Sequence, residues 1–267
     1  GKFGFAKIIF KYIIFLNPGF GYHNGLTEFR ISNLTTVMYG FPFLIALLFS
    51  RHRELTILQK SWLWFLVALM LIVAAGSGRR AFWVLVLISP LIALIFVQFS
   101  SLQLGTGTLI CLLSKLGLIG ISAAIVIFFA LNLEPFALFD EFAAAFLGRE
   151  ESSAARYEQA VSLWRAFESS PLIGIGLGSA TDILRSEEQP WAFELTYLSL
   201  LKSVGLVGFG IYLLAVFWVL LEGMVLAMRD RKFAALFVPM GTALVCFLVI
   251  TATNPYLTKF DYLWVLF

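Results

Sequence analysis

The sequence predicts an all-α polytopic membrane protein: about seven transmembrane helices and one large helical extracytoplasmic loop. Three observations carry this. Of the 267 residues, 60% are hydrophobic and only 13% are charged, about half the charge that soluble domains carry. The mean hydropathy is +0.92, which excludes a soluble globular or disordered chain. The apolar residues are gathered into runs near the roughly 20 residues that one helical crossing needs. The net charge of +3 is too small to imply nucleic acid. Cys111 and Cys246 both sit inside apolar runs and read as small core residues, not as a disulfide or metal site.

The runs fall at 3–16, 34–50, 62–75, 81–99, 108–132, 204–228 and 233–253, with a partial one from 260. The first is short and carries Lys7 and Lys11. Lysines and arginines orient the rest. Lys2, Lys7 and Lys11 lie at the start, Arg51, Arg53 and Lys60 follow the second run, and Arg229, Arg231 and Lys232 follow the sixth. Counting crossings puts all three clusters on one side, the cytoplasm, and the polar segment before the sixth run on the other. The predicted organisation is therefore N-terminal transmembrane helices over 1–132, an extracytoplasmic (periplasmic) loop with an amphipathic helix over 133–192, and C-terminal transmembrane helices over 193–267. Gly at position 1 and the apolar stretch 262–267 lead us to expect a fragment of a longer protein, with helices missing on both sides.

The polar segment is acidic: 11 of the 16 Asp and Glu residues lie between Glu134 and Glu194. Ser152 to Ser169 reads as a helix, with Glu150 and Glu151 suited to its N-terminal dipole and Pro171 ending it. Pro171-Leu172-Ile173-Gly174-Ile175-Gly176-Leu177-Gly178 follows. Its glycines look like a nucleotide-binding loop, but no strand precedes them and no βαβ unit surrounds them.

Several charged residues break the pattern. Arg79 and Arg80 occupy a short Gly76-Ser77-Gly78-Arg79-Arg80 link on the non-cytoplasmic side, against the positive-inside tendency. Guanidinium groups bind phosphate bidentately, and the link opens a helix whose N-terminus favours an anion. Snorkelling to lipid head groups is the simpler alternative. Arg156 lies in the apolar stripe of its helix with Ala160, Leu163, Trp164 and Phe167, so it must meet a carboxylate, carbonyls or a ligand anion. A structural ion pair with a loop acid is the plain alternative. Arg165 points to the opposite, solvated face. Glu194 lies where the chain re-enters the membrane, on a predicted helical face with Leu198, Leu201 and Gly205. Apolar surroundings disfavour a charged carboxylate unless an arginine stands beside it, and either situation suits acid–base or ligand-orienting work. Partnering an arginine structurally is again the alternative. His23 and His52 show no metal-ligand spacing.

The order of these features resembles the C-terminal half of the O-antigen ligase and O-antigen polymerase (Wzy-type) superfamily. An arginine-bearing link is followed by two spans and a large loop carrying Arg156, fifteen residues before the Pro171–Gly178 stretch. Glu194-Leu195-Thr196-Tyr197-Leu198-Ser199-Leu200-Leu201-Lys202-Ser203-Val204-Gly205-Leu206-Val207-Gly208 comes next. The resemblance covers residues 30–230. It implies a glycosyltransferase of the bacterial inner (cytoplasmic) membrane, needing neither metal nor cofactor. Such an enzyme joins undecaprenyl-pyrophosphate-linked glycans of lipopolysaccharide or exopolysaccharide on the periplasmic face. Its partners would be the lipid-linked donor, a glycan acceptor, membrane lipids, and a chain-length regulator or flippase. By the same resemblance, Arg79, Arg80 and Arg156 would hold the donor pyrophosphate, with Arg30 as a lesser candidate, and Arg156 and Glu194 would act in catalysis. The ligases carry a histidine where this chain has Glu194, so the resemblance favours a polymerase over a ligase that transfers glycan to lipid A core or protein. A lipid-linked oligosaccharide flippase or other transporter is the alternative from a different class. Transporters place charges near mid-membrane. In the long runs here only Lys115 and Glu222 are charged, each close to the cytoplasmic end.

Overall fold

Apolar runs in a chain this poor in charge satisfy their backbone polar groups internally by forming helices, and the charged or glycine-bearing links between them end each one. The structure, a computed structural model, describes residues 19–23, 26–30, 34–76, 80–102, 105–131, 151–183, 190, 193–252 and 254–258. Seven helices lie among them: α1 (Leu34–Ser50), α2 (Ile57–Gly76), α3 (Arg80–Phe99), α4 (Thr106–Leu131), α5 (Glu151–Ser169), α6 (Thr196–Arg229) and α7 (Arg231–Thr251). A single 3-10 turn, Tyr256–Thr258, follows. Pro42, Pro90 and Pro239 are accommodated within α1, α3 and α7, as membrane helices tolerate.

The chain is a helical membrane protein, but the predicted count of seven spans is not reached among the described residues. Three helical segments are long and apolar enough to cross a bilayer: Ala81–Phe99, Thr196–Arg229 and Arg231–Thr251. Thr36–Ser50, Ile57–Val73 and Thr106–Ser122 are shorter apolar helices. The predicted first run at 3–16 and the partial run from 260 lie outside the described residues.

An antiparallel hairpin was not expected. Strand β1 (Gly19–His23) pairs with β2 (Leu26–Arg30), with Gly19 opposite Arg30 and His23 opposite Leu26. Its sequence signal is Asn24-Gly25 between the two runs, the dipeptide most favoured in two-residue hairpin turns.

Helices α1, α3 and α7 pack on one another, α6 packs on α7, and α5 packs on α6. Helix α2 meets α1, α3 and α4. The core is built from Met38, Phe41, Ile45 and Phe49 of α1, Phe82 and Leu85 of α3, and Val238, Cys246 and Phe247 of α7. In lipid the hydrophobic drive between helices is absent, so close approach of small residues holds them together. Here Gly223 of α6 lies under the Phe237 ring of α7 and Gly40 of α1 lies against Met70 of α2, each so tightly that a Cβ would clash. Helix α6 is peripheral. Only 6% of its most apolar window is buried, against 56% for α7, and Ile211, Leu214, Phe217 and Trp218 all face outward.

Helix α6 also departs from its predicted boundary. It starts at Thr196, eight residues before the predicted run, and it is broken at Gly205, whose φ and ψ are 64° and −171°. On a continuous helix Tyr197 and Phe209 would be about 18 Å apart along the axis, yet their ring centroids lie 6.4 Å apart. The chain therefore bends sharply at Gly205. The short first half lies across the end of α7, with Thr196 Oγ1 donating to Asn254 O (2.9 Å) and Tyr197 Oη donating to Leu248 O (2.6 Å).

Candidate functional site

Helix α5 begins at Glu151 and stops at Ser169, two residues before Pro171, whose ring disfavours a helical residue ahead of it. Its period sets Arg156, Gln159, Leu163 and Phe167 along one face toward α6. Leu163 is fully buried, and Gln159 and Phe167 nearly so, whereas Trp164 is 49% exposed and lies off that stripe. Arg165 is exposed, as its position on the opposite face predicts.

Two of the sequence-selected residues meet. The Arg156 Nε–H donates to Glu194 Oε2 at 2.7 Å, across 38 residues of chain. Their side chains retain 34% and 24% of their exposure, so the pair is partly shielded from solvent. Glu194 is not on the helical face predicted for it. It lies two residues before α6, and Leu195 is the N-cap. From there its backbone N–H donates to Gln159 Oε1 at 2.9 Å. Two residues of α5, one turn apart, thus hold Glu194 by main chain and by side chain. This geometry also meets the description of a structural ion pair, the plain alternative for both residues. Arg30 ends β2 and Arg80 opens α3. Their side chains, and Arg79 as a whole, lie outside the described residues, as does 133–150 of the predicted loop.

The Gly-rich stretch has a structural task in place of a phosphate. A broken helix leaves carbonyls unpaired at the end of its first half and N–H groups unpaired at the start of its second. The loop after α5 supplies both sets of partners. Ile175 N–H donates to Lys202 O and Gly176 N–H to Ser203 O, each at 3.0 Å, while Leu206 N–H donates to Pro171 O at 2.8 Å and Val207 N–H to Leu172 O at 3.1 Å. Such close backbone contact requires glycine at Gly174 (φ 72°) and Gly205 (φ 64°). A Cβ on Gly174 would stand within 3.0 Å of the Ser203 carbonyl, and one on Gly205 within 3.0 Å of the Leu172 carbonyl.

Lys202, Phe193 and Gln159 are contributors that the sequence reading missed. Lys202 is 1% exposed. Its ammonium donates to Ser179 O at 2.6 Å and sits 4.6 Å from the centroid of the Phe193 ring. It thereby ties the far end of the glycine loop to the residue next to Glu194. A lysine eight positions after Glu194, inside Leu-Leu-Lys-Ser-Val-Gly, was the available signal.

An open groove of about 400 Å³ runs between α5 and the first half of α6, lined by Ala160, Val161, Trp164, Arg165, Glu168 and Leu198. Trp164 Nε1–H donates to Glu168 Oε1 at 2.8 Å, which fixes the half-exposed indole beside a carboxylate and a guanidinium. The assembly offers a carboxylate and a guanidinium poised against each other, with a largely apolar groove floored by Trp164 and edged by Arg165 and Glu168 on the same helix. Among the described residues no three His, Cys, Asp or Glu side chains converge to hold a metal ion. No protein family matches the chain, and a search of curated proteins finds no relative.

Proposed function

We propose that the protein is a membrane glycosyltransferase that polymerises undecaprenyl-pyrophosphate-linked oligosaccharide repeat units on the extracytoplasmic face of the bacterial inner membrane. The observation that carries the proposal is the 2.7 Å pair of Arg156 and Glu194, two residues singled out separately for anion binding and for acid–base work. In this reading all the apolar helices lie in the bilayer, the runs at its two ends complete about seven spans, and α5 with its loops faces the periplasm.

The chemistry follows from the pair. An incoming pyrophosphate is a better bidentate partner for the guanidinium than a single carboxylate oxygen, so donor binding draws Arg156 away from Glu194. The acceptor hydroxyl oxygen then attacks the anomeric carbon, its proton passes to Glu194, and a new glycosidic bond forms. The bond from the anomeric carbon to the pyrophosphate oxygen breaks, and the electron pair leaves with polyprenyl pyrophosphate. Arg156, joined by Arg79, Arg80 and Arg30, stabilises that developing charge. The Trp164 groove offers an aromatic face and a carboxylate for sugar rings of the acceptor. By resemblance to the Wzy-type superfamily the anomeric carbon inverts.

The broken helix α6 favours a second reading, a transporter, since transporters bind substrate at the exposed ends of interrupted helices. Here those ends are already bonded to the glycine loop, which favours an enzyme. One experiment separates the readings. Purified full-length protein in vesicles receives polyprenyl-pyrophosphate-linked repeat units, and glycan length and polyprenyl pyrophosphate release are followed. Lengthening that is lost in Arg156→Ala and in Glu194→Gln, with folding intact, supports the polymerase. Single transfer to a different acceptor supports the ligase instead. Movement of lipid-linked sugar without release overturns the enzyme.

A further inference from the structure

The loop that fills the break in α6 carries an apolar surface with no role in the site described above. Leu172, Ile173 and Leu177 are 64%, 75% and 80% exposed, and Ile175 also faces outward. No charge occurs between Pro171 and Thr181. Contiguous exposed apolar side chains mark an interaction surface, and four features identify what covers this one.

The first is position along α6. Arg229 marks the far polar boundary, and 23 residues separate it from Leu206, a rise of about 35 Å. The hydrocarbon core is about 30 Å thick, and about 40–45 Å with the head groups. The break, and the loop bonded to it, therefore sit at head-group depth when α6 crosses the bilayer. The second is continuity. Leu206 and Val207, whose N–H groups hold the loop, are themselves 52% and 55% exposed and lead into the outward face of Ile211 and Leu214. The third is backbone pairing, which lowers the cost of non-helical chain near lipid. Gly174, Ile175 and Gly176 N–H groups are all bonded, the Pro171, Leu172 and Ser179 carbonyls accept from Leu206, Val207 and Lys202, and Gly176 O accepts from Ser179 Oγ. The fourth is rigidity. Four backbone bonds across the break hold the side chains outward, so their exposure does not relax by folding back.

We propose that Leu172, Ile173, Ile175 and Leu177 insert into the lipid interface of the bilayer, so that the loop and the break in α6 form one membrane-anchored corner. The inference rests on α6 crossing the membrane and is independent of any glycosyl transfer. The corner sets the depth of Lys202, hence of Phe193 and Glu194, against the membrane surface.

The test uses full-length protein with Cys111 and Cys246 replaced by alanine and single cysteines introduced as Ile173→Cys, Leu177→Cys, Asp182→Cys and Trp218→Cys. All four positions are exposed, so the substitutions spare the core. Each is labelled with an environment-sensitive fluorophore in phospholipid vesicles and quenched by iodide in water or by lipids carrying a nitroxide near the head group or, for position 218, deep in the acyl chain. The expected result is that positions 173 and 177 are quenched at least about twofold more by the lipid nitroxide than position 182, with matching protection from iodide. Iodide quenching at 173 and 177 equal to that at 182, with Trp218→Cys still lipid-quenched, overturns the insertion alone. Protection of 173 and 177 from both quenchers means that protein covers the loop and also overturns it. Iodide quenching at position 218 overturns the spanning of α6 itself.

Discussion

Gly205→Ala tests the corner of α6 most directly. The substitution forces a side chain onto a residue with φ 64° and ψ −171°, a region that is essentially glycine-only and costs about 1–3 kcal/mol. It also drives a Cβ into the Leu172 carbonyl and the Gly174 nitrogen, which are backbone atoms and cannot rotate aside. The loop must lift, and four backbone hydrogen bonds then go with it, at about 0.5–1.5 kcal/mol each. Strain and bonds together give a loss between about 3 and 9 kcal/mol, a large part of a typical domain's stability. Gly178→Ala is the internal control, because Gly178 has φ 80° but open space around it, so it carries strain alone. Gly210→Ala, at an open position in the second half of the helix, adds helix propensity and is neutral or stabilising. The assay is thermal unfolding in detergent at one scan rate, read from tryptophan fluorescence and from the fraction still monodisperse after heating. The expected order of melting temperatures is Gly210→Ala highest, Gly178→Ala next and Gly205→Ala far below. A Gly205→Ala protein that melts with Gly178→Ala would falsify the bonded corner.

Three further predictions concern the site, its support at Lys202 and the loop that follows α1. Because Arg156 and Glu194 keep 34% and 24% of their exposure, a double-mutant cycle with Arg156→Met and Glu194→Gln should give a stability coupling no larger than about 1 kcal/mol. Each single variant should lower glycan transfer at least about 100-fold, and a transfer rate within tenfold of wild type in Glu194→Gln counts against the catalytic reading. Lys202→Met keeps the buried stem but removes the bond to Ser179 O. It should lose about 1.5–3 kcal/mol, the range for a bond to a charged group, and speed amide exchange in a peptide covering 171–183; unchanged exchange refutes the tie. For His52, burial first, and then the charges of Lys60, Lys115 and Arg53, hold the imidazole below its usual 6.5. A base with a lowered folded-state value contributes stability that is full above the unfolded value and is lost as pH falls from there through the lowered folded-state value. The chain has only His23 and His52, so ring-labelled protein with His23→Gln should show one resonance titrating below 6.5; a midpoint above that value contradicts the packing.

Helix existence was legible because composition acts residue by residue. Runs of apolar side chains bury their backbone only as helices, and α1, α3 and α7 begin and end within a few residues of the runs that announced them. The helix at 152–169 was legible for the same local reasons, from its acidic start and from Pro171. Arg156 and Glu194 could be singled out because a charge amid apolar neighbours is anomalous in any fold. The pairing of β1 with β2 was equally local, and the Asn24-Gly25 dipeptide in the sequence between them went unread.

Tertiary structure alone decided the rest, because it depends on contacts between segments far apart in the chain. Hydropathy is blind to a single dihedral, so Leu206 to Arg229 looks like one plain span, and nothing local says that Gly205 turns the chain back toward Phe209. The sequence around Gly174 and Gly176 lacks the strand that a phosphate loop needs, and only the bonds from Ile175 and Gly176 to the Lys202 and Ser203 carbonyls show that its partner is another stretch of backbone. The same holds for Glu194, whose 2.7 Å bond requires α5 and the start of α6 to lie side by side. Sequence marks which residues are costly to leave unpaired, and the packing of α5 on α6 chooses their partners.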